Sequence, residues 1–179
     1  GDDNVFNEFI VPGSQAFDYG AYLGNNMKIG TRIKLNYGVR FSAFSSVGPS
    51  TVFGFDEQFN VSDTTVYKDW DFYNTYTSWE PRVSGSYIIS GLSSIKASYS
   101  RTVQYIQLAS NSTVGNPLSI WFPASTNVKP QYGDQVALGY FRNFFADRLE
   151  SSVELFYKKM YNQIDFRDHA QLLLNDRLE

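Results

Sequence analysis

Residues Trp79 to Leu108 read WEPRVSGSYIISGLSSIKASYSRTVQYIQL. Two runs of alternating character flank Ser90-Gly91. In the first, Val83, Gly85, Tyr87 and Ile89 share one parity, and Arg82, Ser84 and Ser86 take the other. In the second, Ile95, Ala97, Tyr99, Val103 and Tyr105 stand against Ser94, Lys96, Ser98, Ser100, Thr102 and Gln104. Successive side chains of a strand point to opposite faces, so each run has one apolar and one polar face. The short Ser-Gly connection makes the pair a hairpin.

Two architectures accept such a hairpin. A soluble sandwich packs its apolar face on a partner sheet. An outer-membrane barrel turns that face to lipid and its polar face to a wet lumen. The second run is long enough for the ~9–11 residues of a tilted spanning strand. Its polar face is small and hydroxylated, and Tyr87, Tyr99 and Tyr105 suit interfacial aromatic girdles. The same alternation fits a soluble antiparallel sheet, so this hairpin alone leaves both open.

The chain has 179 residues, enough for one sizeable domain, and a formal net charge of −3, which argues against nucleic acid as a partner. It has no cysteine, which excludes a disulfide framework and Cys-bearing zinc sites. Aromatics make up 17%, mostly Tyr and Phe. No run reaches the ~18 apolar residues of a membrane helix, and the negative mean hydropathy does not argue against a barrel, half of whose side chains face water. The opening Gly1-Asp2-Asp3 has no basic and apolar leader, and the chain stops in the polar Leu174–Glu179. The expectation is a piece of a longer protein.

Outward from the central hairpin, two more hairpins follow the same rule. Phe17, Tyr19, Ala21, Leu23, Asn25, Met27 and Ile29 alternate with polar and small residues; after Gly30-Thr31-Arg32 come Ile33, Leu35, Tyr37, Val39 and Phe41. Further on, Val136, Leu138 and Tyr140 lead through Ala146-Asp147-Arg148 to Val153, Leu155, Tyr157 and Tyr161. The expected hairpins lie near 15–45, 79–108 and 134–166. Long connections at 46–78 and 109–131 separate them. These are too long for turns and too aromatic for flexible linkers, and short strand extensions are expected in the first. Short turns at one end and long loops at the other are the signature of outer-membrane barrels, with the loops extracellular. Soluble sandwiches mix loop lengths at both ends. The expected fold class is all-β: an antiparallel meander of about six strands in three hairpins, part of a large transmembrane β-barrel. The alternative is a soluble all-β binding or adhesin module.

Several stretches carry a family resemblance. Leu35-Asn36-Tyr37-Gly38-Val39-Arg40-Phe41, Glu80-Pro81-Arg82-Val83-Ser84 and Ile95-Lys96-Ala97-Ser98-Tyr99-Ser100-Arg101-Thr102 resemble strands of TonB-dependent outer-membrane receptors. Pro117-Leu118, Trp121, Pro123, Lys129-Pro130-Gln131 and Asp134 to Asn143 are similar to a stretch of that family as found in Bacteroidetes. Glu154 to Met160 and Asn162 to Asp165 resemble the strand after it. The resemblance covers most of residues 17 to 176. It implies a barrel of about 22 strands closed by an N-terminal plug, of which this chain supplies part of the wall in the C-terminal half. It also implies a bacterial outer-membrane location, with outer-membrane lipid and the plug of the same chain as partners. TonB would act through the absent N-terminal part. The implied activity is import of a scarce, bulky ligand such as a siderophore, haem, glycan or peptide, which this piece cannot perform alone.

Site residues divide by environment. Leu35, Val39, Val83, Ile95, Val136, Leu138, Val153 and Leu155 are expected to face lipid. Trp70, Tyr73, Tyr76 and Trp121, in the long connections, are candidates for stacking on a ligand, each with an amphipathic ring; girdle or loop packing is the competing role. Glu80, Arg82, Lys96 and Glu154 fall on polar faces and are expected to form lumenal ion pairs or face a plug. No catalytic set, metal set or cofactor is expected. His169 is the single histidine, and Asp56, Asp63, Asp69 and Asp71 lack calcium-loop spacing. An enzyme is not expected.

Overall fold

Alternation becomes strand wherever β-branched and aromatic residues hold one parity against small polar ones, and glycine-bearing turns reverse the chain. The computed structural model describes residues 15–56, 60–110, 119–145 and 148–164. The strands are β1 (Gln15–Ile29), β2 (Ile33–Val47), β3 (Ser50–Phe55), β4 (Val61–Tyr67) and β5 (Phe72–Ser90). They continue with β6 (Ser93–Gln104), β7 (Ile106–Ser110), β8 (Ser119–Pro123), β9 (Gln131–Phe144) and β10 (Leu149–Tyr161). Six of them form one sheet in the order β1-β2-β5-β6-β9-β10, every neighbouring pair antiparallel. The expected all-β meander is therefore the observed one. Two small hairpins, β3-β4 and β7-β8, are inserted in the long connections.

Some boundaries differ from the sequence reading. β5 starts at Phe72, well before Trp79, because its N-terminal part pairs with the end of β2 as far as Val47↔Phe72. β9 starts at Gln131, before Asp134, and β10 ends at Tyr161. Partner-strand pairing, invisible in local alternation, extends β5 and β9 beyond their patterned centres, whereas β10 stops short of the expected 166 where its pairing with β9 ends at Tyr161↔Tyr132.

The register aligns the side chains into rows. One row runs Ile29, Ile33, Tyr87, Ile95, Tyr140 and Val153 across all six strands. The next runs Met27, Leu35, Gly85, Ala97, Leu138 and Leu155, and a third Asn25, Tyr37, Val83, Tyr99, Val136 and Tyr157. Directly opposed residues share a face, so these rows build one apolar face. The other face carries rows such as Asn26, Asn36, Ser84, Ser98, Ala137 and Phe156. At the β1–β2 turn Gly30 has φ +61°, a conformation that costs a side-chain-bearing residue about 1 kcal/mol or more. On the polar face the cross-strand pair Gly24↔Gly38 leaves a gap that the Tyr22 ring fills.

The buried core is small and lies at the end of the long connections. Phe44, Val47, Tyr105, Phe122 and Ala124 are buried, with Phe44 stacked on Tyr105 at 5.2 Å. The apolar face of the six-stranded sheet stays uncovered: Val83, Val136, Leu138, Val153 and Leu155 are all exposed, Leu155 by 69%.

Candidate functional site

The polar face centres on Glu80. The β5–β6 ladder ends at Arg82↔Ser100, whereas β5 continues along β2 and β6 along β9. The residue past the last pair on β5 is Pro81, which has no N–H to give the ladder. The two strands part there, and the Glu80 side chain occupies the seam at 2% exposure. Its Oε1 accepts the Ser42 hydroxyl at 3.0 Å, and its Oε2 accepts the Val103 backbone N–H at 3.4 Å. Arg40 Nε and Arg82 Nη2 each stand 3.8 Å from it, both side chains about half exposed. The carboxylate thus replaces a missing ladder bond and joins β2, β5 and β6. Asp18, on the same face of β1, brings a second carboxylate to the surroundings of Tyr105 and Arg40.

Tyr105 completes the seam. The chain bends after β6, which swings Tyr105 off the apolar parity and onto the polar face. Its hydroxyl lies 2.8 Å from Ser42 Oγ. Burial pushes the Tyr105 pKa above its ordinary 10.0, and the Ser42 hydrogen bond offsets part of that rise. The expected place for Tyr105 in an outward girdle is therefore corrected: the bend, not the alternation, sets its direction.

The connection after β8 folds over this region. Ala124 N–H donates to the Tyr105 carbonyl, Ser46 Oγ to the Ala124 carbonyl at 3.1 Å, and Tyr76 OH to the Ser125 carbonyl at 2.8 Å. Gln107 donates to the Lys129 carbonyl and Asn127 to the Phe53 carbonyl, tying both inserted hairpins to the connection between β8 and β9. Nearer the short turns the polar face opens into a depression of about 500 Å³ lined by Lys34, Asn36, Ser84, Lys96, Phe141 and Glu154, among others. Lys96 Nζ sits 4.1 Å from the centre of the Phe141 ring, a cation–π contact rather than an ion pair with Glu154.

The four ring candidates do not converge. Trp70, 69% exposed, stacks with Phe17 beside Phe72. Phe17 shares the parity of Leu23 on β1, which places this aromatic group toward the apolar face. Tyr73 stacks on Tyr67 at 4.6 Å. Tyr76 packs on the buried core with its hydroxyl engaged, and Trp121, 63% exposed, pairs with Leu108 across β7-β8. Leu35, Val39, Val83, Ile95, Val136, Leu138, Val153 and Leu155, in contrast, all fall on the one apolar face. Glu80 and Arg82 meet, whereas Lys96 and Glu154 lie further toward the turns. Asp56 and Asp71 accept backbone N–H groups of their own turns. His169 lies outside the described residues.

One charged group escaped the sequence reading. Arg101 sits on the apolar parity of β6, opposite Asp134, which in turn opposes Lys159. Arg101 donates Nε and Nη2 to Asp134 at 2.8 and 2.9 Å, and Tyr99 OH adds a third bond at 2.8 Å. The available signal was three charges at positions where alternation calls for apolar residues.

Neither the curated proteins nor the solved structures hold a significant match to this chain. A protein-family profile does. The profile described as TonB dependent receptor-like, beta-barrel matches residues 2–173, and the chain belongs to that family.

Proposed function

We propose that this chain is a wall segment of a TonB-dependent transporter of the Bacteroidetes type, importing a scarce, bulky ligand (siderophore, haem, glycan or peptide). The family is one of outer-membrane receptors. In this reading the apolar rows face lipid, with Leu35, Val39, Val83, Ile95, Val136, Leu138, Val153 and Leu155 in the bilayer. The polar face, with Arg40, Glu80 and Arg82, lines the lumen and meets the plug of the same protein. The plug-bearing N-terminal part engages TonB. The connections at 46–78 and 109–131 are extracellular, and the exposed Trp70 and Trp121 are the rings placed for ligand or headgroup contact.

The observation that carries this is the distribution of charge on the apolar face. On β9 that face holds Val136, Leu138 and Tyr140 between Asp134 and Arg142. A step of eight residues at about 3.3 Å each, tilted by about 40°, spans roughly 20 Å, close to the ~25 Å apolar band of an outer-membrane barrel. The same parity of β1, β2 and β5 carries no charge along the paired lengths of those strands. A soluble binding module, the alternative, needs a second layer over these rows, and the described residues supply none.

Single cysteines at Asn127 and Thr31 of the full-length protein test the reading on intact cells. A membrane-impermeant maleimide should label residue 127 and spare residue 31 until the cells are broken. Labelling of both or neither, or recovery of the protein in the soluble fraction, overturns it.

A further inference from the structure

On an apolar face that is otherwise free of charge in its central rows, Arg101, Asp134 and Lys159 form one charged row across β6, β9 and β10. The row sits on the long-connection side of the apolar band. The Asp134 carboxylate accepts three hydrogen bonds: Oδ1 from Tyr99 OH and Arg101 Nε, and Oδ2 from Arg101 Nη2. Among the described residues no carboxylate lies within 4 Å of Lys159. Its ammonium lies 4.9 Å from the centre of the Tyr161 ring, and Tyr161 stacks on Tyr132 at 4.5 Å, over which Arg101 also stands. The row thus holds two cations and one carboxylate; the carboxylate is paired with Arg101, and the excess charge rests on Lys159, beside two stacked tyrosines.

We propose that this row is a binding site for the phosphate of an anionic lipid headgroup. The inference rests on the barrel reading, since it needs this face turned to the bilayer. There the row falls where hydrocarbon gives way to headgroups. A cation in hydrocarbon is costly, and at the headgroup level it is favourable toward an anionic lipid. Tyrosine at that level offers an apolar body and a hydroxyl donor. The bidentate bond with Asp134 fixes the Arg101 guanidinium, and Lys159, with no carboxylate partner among the described residues, offers its ammonium to the phosphate as a point charge.

Native mass spectrometry of the full-length protein from mixed micelles tests this, with phosphatidylglycerol as the anionic probe and phosphatidylcholine as the neutral one. Lys159→Gln should weaken phosphatidylglycerol retention roughly fivefold, the effect of one interfacial cation, and leave phosphatidylcholine unchanged. Lys158→Gln, which removes a charge from the opposite face of the same strand, should leave both unchanged. Asp134→Asn, which frees the Arg101 charge, should strengthen phosphatidylglycerol retention. Equal loss for Lys158→Gln and Lys159→Gln, or no loss for either, overturns the site while retained phosphatidylcholine upholds the barrel. Retention of neither lipid by the wild type overturns both.

Discussion

Replacing Glu80 by Ala should loosen the wall where β5 and β6 part. The lost interactions can be counted. The Ser42 bond to a charged acceptor contributes about 1.5 kcal/mol. The two guanidinium contacts at 3.8 Å, made by half-exposed side chains, contribute about 0.5 kcal/mol each. The long Val103 bond adds about 0.5 kcal/mol. Relief of carboxylate desolvation offsets part of this, leaving about 2–3 kcal/mol, below the 3–5 of a fully buried pair because both arginines reach water. Glu80→Gln keeps the shape and the Ser42 contact and should lose about 1–2 kcal/mol. The assay is urea unfolding of the full-length protein in lipid vesicles, followed by tryptophan fluorescence. In a Glu80→Gln background, Arg40→Gln should cost less than it does alone, since the partner charge is gone. The reasoning is refuted if both Glu80 variants unfold within about 0.5 kcal/mol of the wild type.

Leu138→Arg, in the middle apolar row, should cost about 2–4 kcal/mol in lipid vesicles, whereas Ser98→Arg, on the polar face of the adjacent strand, should cost far less. Equal costs would show that the two faces are not lipid and lumen. Tyr105→Phe should cost about 1 kcal/mol through the lost Ser42 bond. Because burial raises the Tyr105 pKa, its contribution is fully present below pH 10.0 and is lost as pH rises through the folded value. Stability of the wild type should therefore fall more steeply than that of Tyr105→Phe above pH 10.0, and parallel curves would contradict this. Tyr76→Phe frees the Ser125 carbonyl, so limited proteolysis should cut the connection after β8 several times faster; an unchanged rate means this bond does not hold it.

The strands were legible because each has a long alternating centre. The two inserted hairpins were less so, since β3 and β4 carry short mixed runs such as Val61-Ser62-Asp63 whose pairing is fixed by each other. Polar-face membership of Glu80 and Arg82 follows from parity alone. What parity could not give is that Glu80 becomes a buried bridge, because that depends on β6 leaving β5 past Pro81. Tyr105 was misread for the same reason, as a bend resets the alternation. The Arg101 row is masked in the sequence by its apolar-parity neighbours Tyr99 and Val103. Rings in long connections have no periodic rule, so the sequence could not show that Trp70 joins Phe17 while Tyr76 turns to the core.

The most direct test of a lipid-facing wall is a spin-label scan along β9, from Gln135 to Phe141, in the full-length protein in a bilayer. The chain contains no cysteine, so each introduced label reports from one place in it. The account predicts a period of two: labels at 136, 138 and 140 are relaxed by oxygen dissolved in lipid. Those at 135, 137 and 139 respond to a water-soluble nickel chelate or are shielded by the plug. A scan without alternation, or one in which the nickel chelate reaches 136, 138 and 140, would contradict it.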